Sequence, residues 1–148
     1  MLQNRDAVMV TTEAAHAELL ERLGQGKTVQ LTPQGNSMLP FIEGGRDKVL
    51  VRKEEKIGVG DIVLVPHHDR LILHRIYAME GVKLTLMGDG NLKGNEVVDQ
   101  SEVWGKVLEI IKPDGHHRKP NRAWLWRKSL PIRKYLLKCY SKCNKIKH

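Results

Sequence analysis

The sequence predicts a mainly β fold: a small antiparallel β-domain with a short N-terminal helix and a basic C-terminal helix. Short segments of alternating apolar and polar residues, separated by glycine-containing turns, fill residues 27–112. Helical periodicity of apolar residues is confined to the two ends of the chain. The length of 148 residues suits one ordinary domain with a short appendage. We therefore expect three sections, residues 1–26, 27–112 and 113–148.

The first section, residues 1–26, predicts a short amphipathic helix. Its segment TTEAAHAELLERLG opens with threonines suited to an N-cap, and Gly24 suits the C-terminal end. Ala15, Leu19 and Leu23 repeat at helical spacing. We expect this helix to pack on the body; a role as an adaptor for a partner is the alternative.

The second section, residues 27–112, has the pattern of an antiparallel sheet. The predicted strands are KTVQLT, KVLVRK, DIVLVP, LILHRIYAM, GVKLTLM and VWGKVLEII, with the last strand closing the sheet. The fourth and fifth pair naturally as a hairpin across Glu80-Gly81. Five or six short strands at this spacing favour either a sandwich or a partly closed barrel.

The third section, residues 113–148, begins with the loop PDGHHRKPN and continues as a predicted helix. Pro131 suits the first helical position, with Ser129 nearby as a cap. An apolar stripe follows at helical spacing, and most of the lysines lie off it: the stripe is Ile132, Leu136, Cys139 and Cys143. Two cysteines four residues apart on one helix face predict no disulfide framework.

The positive charge belongs to the third section. Residues 115–148 hold eleven Lys and Arg and no acidic residue, whereas residues 1–114 hold fourteen basic and seventeen acidic residues. Three interpretations of residues 122–148 stay open: a membrane-surface helix, a nucleic-acid-binding arm, or a solvated helix docked on the acidic body. Trp124 and Trp126 beside arginine favour a membrane interface over nucleic acid.

Other classes of protein find little support in the sequence. No signal peptide and no run of about 20 apolar residues occurs, so we expect a cytoplasmic protein, at most peripheral to a membrane. His67-His68-Asp69 and His116-His117 lack the spacing of a dedicated metal site and are interpreted as surface loops. We expect neither a metal nor a cofactor.

A candidate nucleophile, Ser37, lies in the stretch GNSMLP, residues 35–40. The glycine before it lets the backbone turn sharply, and the proline after it stiffens the exit. A serine hydroxyl needs a base within hydrogen-bond reach and donors for the developing oxyanion. Read alone, a serine in such a turn is more often a structural residue than a catalytic one.

A candidate base, His74, lies in the strand LILHRIYAM. Histidine is well suited to take up a proton near neutral pH. Asp89, in LMGDGN, lies about as far from the hairpin turn as His74, which can bring the two side chains together across the ladder. Serine, histidine and aspartate would then form a nucleophile, a base and its orienter. The alternatives are a structural histidine and an aspartate that stabilises its own turn.

Five segments together resemble the sequence boxes of the type I signal peptidases and the LexA-type self-cleaving repressors. The segments are GNSMLPFIEGGRDKVLV, GVGDIVLV, LILHRIYAMEG, LTLMGDGN and VWGKVLEI. The resemblance covers residues 27–111 and includes the order and spacing of the boxes. It implies a small peptidase β-domain with Ser37 as the nucleophile.

The resemblance also implies the partners of Ser37. His74, followed by Arg75, stands where the bacterial enzymes and the repressors have a lysine base, and is similar to the archaeal and endoplasmic-reticulum branch. Asp89 fits the GD box of that branch, whereas the second acidic position of the family falls at Asn95 or Glu96. Which acid orients His74 is left open by the match.

The resemblance places the oxyanion donors in the nucleophile loop, which includes Gly35, Asn36 and Met38. Signal peptidases often have a hydroxyl residue at the position of Gly35, so the donors here would be the backbone N–H of Ser37 and the Asn36 side chain. The chain has no Ala-Gly or Cys-Gly pair, so self-cleavage as a switch is not expected.

The function expected from these residues is that of a soluble serine endopeptidase cleaving an extended peptide or leader segment. The alternative is a catalytically inactive peptidase fold that serves as a binding module and acts through its basic tail.

Overall fold

The structure, a computed structural model, describes residues 13–91 and 95–147. Two 3-10 turns, Gln100–Glu102 and Leu130–Ile132, accompany the regular elements. The helices and strands are α1 (Glu13–Gly24), β1 (Val29–Leu31), β2 (Lys48–Arg52), β3 (Ile62–His67), β4 (Arg70–Glu80), β5 (Lys83–Met87), β6 (Glu96–Asp99), β7 (Gly105–Ile111), β8 (His117–Arg118), α2 (Trp124–Arg127) and α3 (Arg133–Lys147). The threonine N-cap predicted for the first helix lies outside the described residues.

The strands form one antiparallel sheet in the order β1-β2-β7-β3-β4-β5-β6, with β8 paired to β7. The predicted mainly β fold with a helix at each end is thereby confirmed. Two details differ from the prediction. Strand β7 lies between β2 and β3 and so does not close the sheet, and β6 and β8 extend it beyond the six predicted strands.

The apolar residues form two clusters. Because successive strand residues point to opposite faces, Ile62 and Leu64 of β3 join one cluster, while Val63 and Val65 join the other. The first cluster also takes in Leu19 and Leu23 of α1, which have no exposed surface. The expected packing of the N-terminal helix on the body is thus confirmed.

A bulge in the β4–β5 hairpin decides what comes near His74. Near the turn Glu80 pairs with Lys83, but the register shifts by one between Ile76 and Ala78, so that Arg75 pairs with Met87. The extra residue on β4 is Tyr77. Extended by one pair beyond Met87, this shifted register puts His74 opposite Gly88, whereas the register near the turn would have put it opposite Asp89.

Candidate active site

The nucleophile loop is a compact turn that follows β1. The backbone of Gly35 has a φ of +83°, a conformation that favours glycine. The Asn36 carbonyl accepts a hydrogen bond from the Leu39 N–H at 3.2 Å, and the Leu39–Pro40 peptide bond is cis. Met38 is 4% exposed and belongs to the first apolar cluster, so its side chain anchors the loop, and Ser37 is half-buried beside it.

The segment after β5 holds this loop in place through its backbone. The Gly90 N–H donates to the Ser37 carbonyl at 2.8 Å. A β-carbon added to Gly88 would overlap the Ser37 carbonyl oxygen, and one added to Gly90 would overlap the Asn36 carbonyl oxygen. Both glycines of GDG are therefore required by the close approach of two backbones.

His74 is 6% exposed, and its imidazole contacts a carboxylate. Its Nδ1 lies 2.5 Å from Oε1 of Glu96, the first residue of β6. A β-carbon built on Gly88 would lie 3.1 Å from Nε2 and would overlap the carbonyl oxygen of Ser37, so Nε2 and the backbone of the nucleophile loop both lie close to Gly88. The ring is thus held at Nδ1, and His74 and Ser37 both line one cleft.

Asp89, which the sequence offered as a partner of His74, pairs with Arg75 in the structure. The shifted register turns Asp89 toward Arg75, the residue after His74, whose side chain lies on the opposite face of β4. Arg75 Nε lies 2.9 Å from both carboxylate oxygens of Asp89, and neither side chain has exposed surface. Of the two alternatives at the second acidic position, Glu96 is the one that contacts His74.

The Arg75–Asp89 pair is a buried support beneath the site. Arg75 Nη1 also donates to the carbonyls of Gly60 at 2.7 Å and Asn121 at 2.6 Å, and the guanidinium lies 5.1 Å from the ring centre of Phe41. A buried arginine requires such partners, because an unpaired buried charge is strongly destabilising. This single side chain therefore connects β4, the nucleophile loop and the chain leading to α2.

Tyr77, the bulged residue, extends this support. Its hydroxyl donates to Asp89 Oδ1 at 3.0 Å and accepts from Arg133 Nη2 at 2.8 Å. Burial, reinforced by the Asp89 carboxylate, raises the pKa of Tyr77 to about 12. The phenol therefore keeps its proton, and with it the bond to Asp89, throughout the neutral range.

The C-terminal segment packs against the same support. Trp126 donates from Nε1 to the Asp89 carbonyl at 2.8 Å and meets Phe41 edge-to-face at 5.9 Å. Arg133, which has no exposed surface, donates to the Trp126 carbonyl at 2.7 Å. Sequence reasoning missed these contacts, although Arg75 inside an apolar strand was a signal that a buried carboxylate must lie nearby.

A cleft of about 640 Å³ opens in front of Ser37 and His74. It includes polar groups around the serine and histidine and an apolar wall from β4 and the nucleophile loop. The lining residues include Gly35, Asn36, Ser37, Met38, Ile42, Leu71, Leu73, His74 and Glu96. Its volume lies within the range of ligand-binding pockets.

A family model described as Peptidase S24-like matches residues 5–108, more than two thirds of the chain. The chain belongs to the Peptidase S24-like family. This confirms the resemblance drawn from the sequence boxes, and the S24-like match includes Ser37, His74, Asp89 and Glu96. A search of curated proteins returns no match.

The described part of this S24-like protein was also compared with the requirements of a membrane-spanning helix and of a metal site. None of the helices in residues 13–91 and 95–147 has both the length and the apolar character needed to cross a bilayer. Over the same residues, no group of three or more His, Cys, Asp or Glu side chains is arranged to hold a metal ion.

Proposed function

We propose that this S24-like protein is a serine endopeptidase in which Ser37 is the nucleophile and His74 the general base, oriented by Glu96. The observation that supports the proposal is the His74 imidazole, bound to Glu96 at Nδ1, with its Nε2 and the Ser37 backbone both close to Gly88. A base with a fixed ring orientation beside a serine is the arrangement that activates a hydroxyl.

In the proposed reaction, Ser37 Oγ attacks the peptide carbonyl carbon while its proton passes to His74 Nε2. Glu96 stabilises the imidazolium through the Nδ1–H bond. The carbonyl oxygen becomes an oxyanion that accepts from the Ser37 N–H and the Asn36 side chain. The imidazolium then protonates the leaving amine as the C–N bond breaks. Water, deprotonated by His74, hydrolyses the acyl-serine and restores both residues.

The substrate in this proposal is an extended peptide. On one side β4 pairs with β3 from Arg70 to Arg75, whereas on the other side its pairing with β5 begins only at Arg75. Residues 71–74 therefore present a strand edge toward the cleft, which they also line. An extended peptide can add to such an edge through backbone hydrogen bonds, with alternate side chains entering the apolar part of the cleft.

The test is mass spectrometry of a diverse peptide mixture incubated with the wild-type protein, with Ser37→Ala and with Ser141→Ala. Ser141 is an exposed serine of α3 and serves as the matched control. We expect the same cleavage products from wild type and Ser141→Ala, and none from Ser37→Ala. Products that persist in Ser37→Ala would contradict the proposal, and so would a leader peptide bound but left uncut by wild type.

A further inference from the structure

The basic terminal segment, Trp124–Lys147, is attached to the body at its beginning and is largely exposed afterwards. Trp126 and Arg133 supply the attachment described above. Beyond Arg133, every side chain from residue 134 to 143 is exposed or half-buried. The greater part of α3 thus has a surface that the body leaves uncovered.

The exposed part of α3 is divided into distinct faces. At about 100° per residue, Arg133 and the half-buried Leu137 and Tyr140 share the side toward the body. Lys134, Lys138 and Lys142 lie within an arc of about 80° on the outward side. Beside that arc, within about 100°, lie the apolar and aromatic members: Tyr135, Leu136, Cys139 and Cys143.

Large apolar side chains are exposed along this segment. They are Trp124 (57% exposed), Leu125 (75%), Ile132 (54%), Tyr135 (57%) and Leu136 (38%). Both cysteines of α3 are exposed as well. An uncovered set of this size indicates a surface that meets an apolar partner.

The charge of the segment restricts the partner. Trp124–Lys147 carries eight Lys and Arg and no Asp or Glu. Cationic groups lie directly beside aromatic rings: Lys128 Nζ is 4.2 Å from the ring centre of Trp124, and Lys134 Nζ is 5.0 Å from that of Tyr135. The partner must therefore offer negative charge and apolar volume at the same place.

We propose that the basic terminal segment docks on an anionic lipid surface. The headgroups would pair with Lys134, Lys138 and Lys142, and the acyl boundary would take Leu125, Leu136 and the neighbouring aromatic rings. Nucleic acid satisfies the charge but gives no place to the aliphatic side chains. A second copy of the segment would bring two strongly cationic helices together. The proposal is independent of catalysis by Ser37.

The experiment measures binding of the full chain to vesicles of phosphatidylcholine mixed with phosphatidylglycerol, and to vesicles of phosphatidylcholine alone. Co-sedimentation gives the partition coefficient, and tryptophan emission reports burial of Trp124. We expect binding to the anionic vesicles, a shift of emission to shorter wavelength, and weaker binding as salt is added. Binding to phosphatidylcholine alone should be much weaker.

Two pairs of substitutions test the contributions of charge and of apolar burial to vesicle binding. Each pair has a matched control on the body. Lys138→Glu with Lys142→Glu should weaken binding to anionic vesicles at least about 25-fold, since each lysine near such a surface contributes about five-fold. The control reverses the exposed Lys53 and Lys56 to glutamate and should change binding little.

Leu125→Ser with Leu136→Ser should weaken binding about ten-fold or more through lost apolar burial. Its control, Val82→Ser with Val97→Ser, alters two side chains that are 57% and 65% exposed on the body and should have little effect.

Four results would overturn the proposal. The first is absence of binding to the anionic vesicles. The second is an equal loss for the segment variants and their body controls. The third is a stronger affinity for duplex DNA than for anionic vesicles at equal phosphate, unaffected by Leu125→Ser with Leu136→Ser. Sedimentation velocity adds a further check, because a dimer abolished by the leucine pair would assign the surface to a second copy.

Discussion

His74 and Arg75 are neighbours on β4, and each pairs with a different carboxylate. His74 meets Glu96 at the mouth of the cleft, whereas Arg75 and Asp89 pair without exposed surface beneath it. The alternation of side chains along a strand separates the two pairs onto opposite faces. The pairs therefore differ in what they stabilise: we assign the first to the reaction and the second to the fold.

This division predicts that one neutralising substitution lowers the catalytic rate and the other lowers the stability of the fold. Glu96→Gln should lower kcat by on the order of 10²–10⁴-fold, because the imidazole loses its orienting charge. Asp89→Asn should lower the free energy of unfolding by about 3–5 kcal/mol, because it leaves Arg75 buried without its counter-charge. Peptide cleavage rates and urea unfolding measure the two effects. Full activity in Glu96→Gln, or wild-type stability in Asp89→Asn, would refute the assignment.

The nucleophile loop and the GDG turn after β5 are in direct backbone contact. The Gly90 N–H binds the Ser37 carbonyl, and Gly88 leaves no room for a side chain between that carbonyl and His74. The position of Ser37 relative to its proposed base thus depends on a strand–loop junction that is distant from it in sequence.

Gly88→Ala should lower kcat/KM by about 100-fold or more, because a displacement of about 1 Å in a reacting group has an effect of that order. The added methyl group must push the Ser37 carbonyl aside. Gly58→Ala is the control, since its nearest contact would be the Arg122 side chain at 3.9 Å. Equal activity of the two variants would argue against the close approach of the two backbones.

For the whole molecule, the C-terminal segment contributes to the body as well as projecting from it. Arg133 donates to the Tyr77 hydroxyl, to the Asn91 carbonyl at 3.1 Å and to the Trp126 carbonyl, which unites three separate parts of the chain. Through Tyr77 the connection continues to Asp89 and Arg75. The start of α3 is therefore part of the fold that supports the site.

Arg133→Met should lower the free energy of unfolding by about 2–4 kcal/mol, because buried acceptors lose a charged donor. Lys134→Met, at the next and exposed position, should change it by less than about 0.5 kcal/mol. Urea unfolding of the two variants at one pH makes the comparison. Equal stabilities would show that the end of the chain adds nothing to the body.

Local sequence patterns predict most of the strands and the candidate site residues. Alternation of apolar residues predicts β2 to β5 and β7 because the pleat fixes which residues share a face, and this depends on near neighbours alone. The stretch GNSMLP and the His74-Arg75 pair could be recognised for the same reason, since each is continuous in the chain.

Which of these residues come into contact depends on strand register and on tertiary packing. The bulge at Tyr77 moves Asp89 from His74 to Arg75, and β6, a strand that its sequence did not predict, brings Glu96 to the imidazole. The contacts of Trp126 and Arg133 depend on where the end of the chain packs. Register and packing are set by the summed burial of residues far apart in sequence, which no local pattern contains.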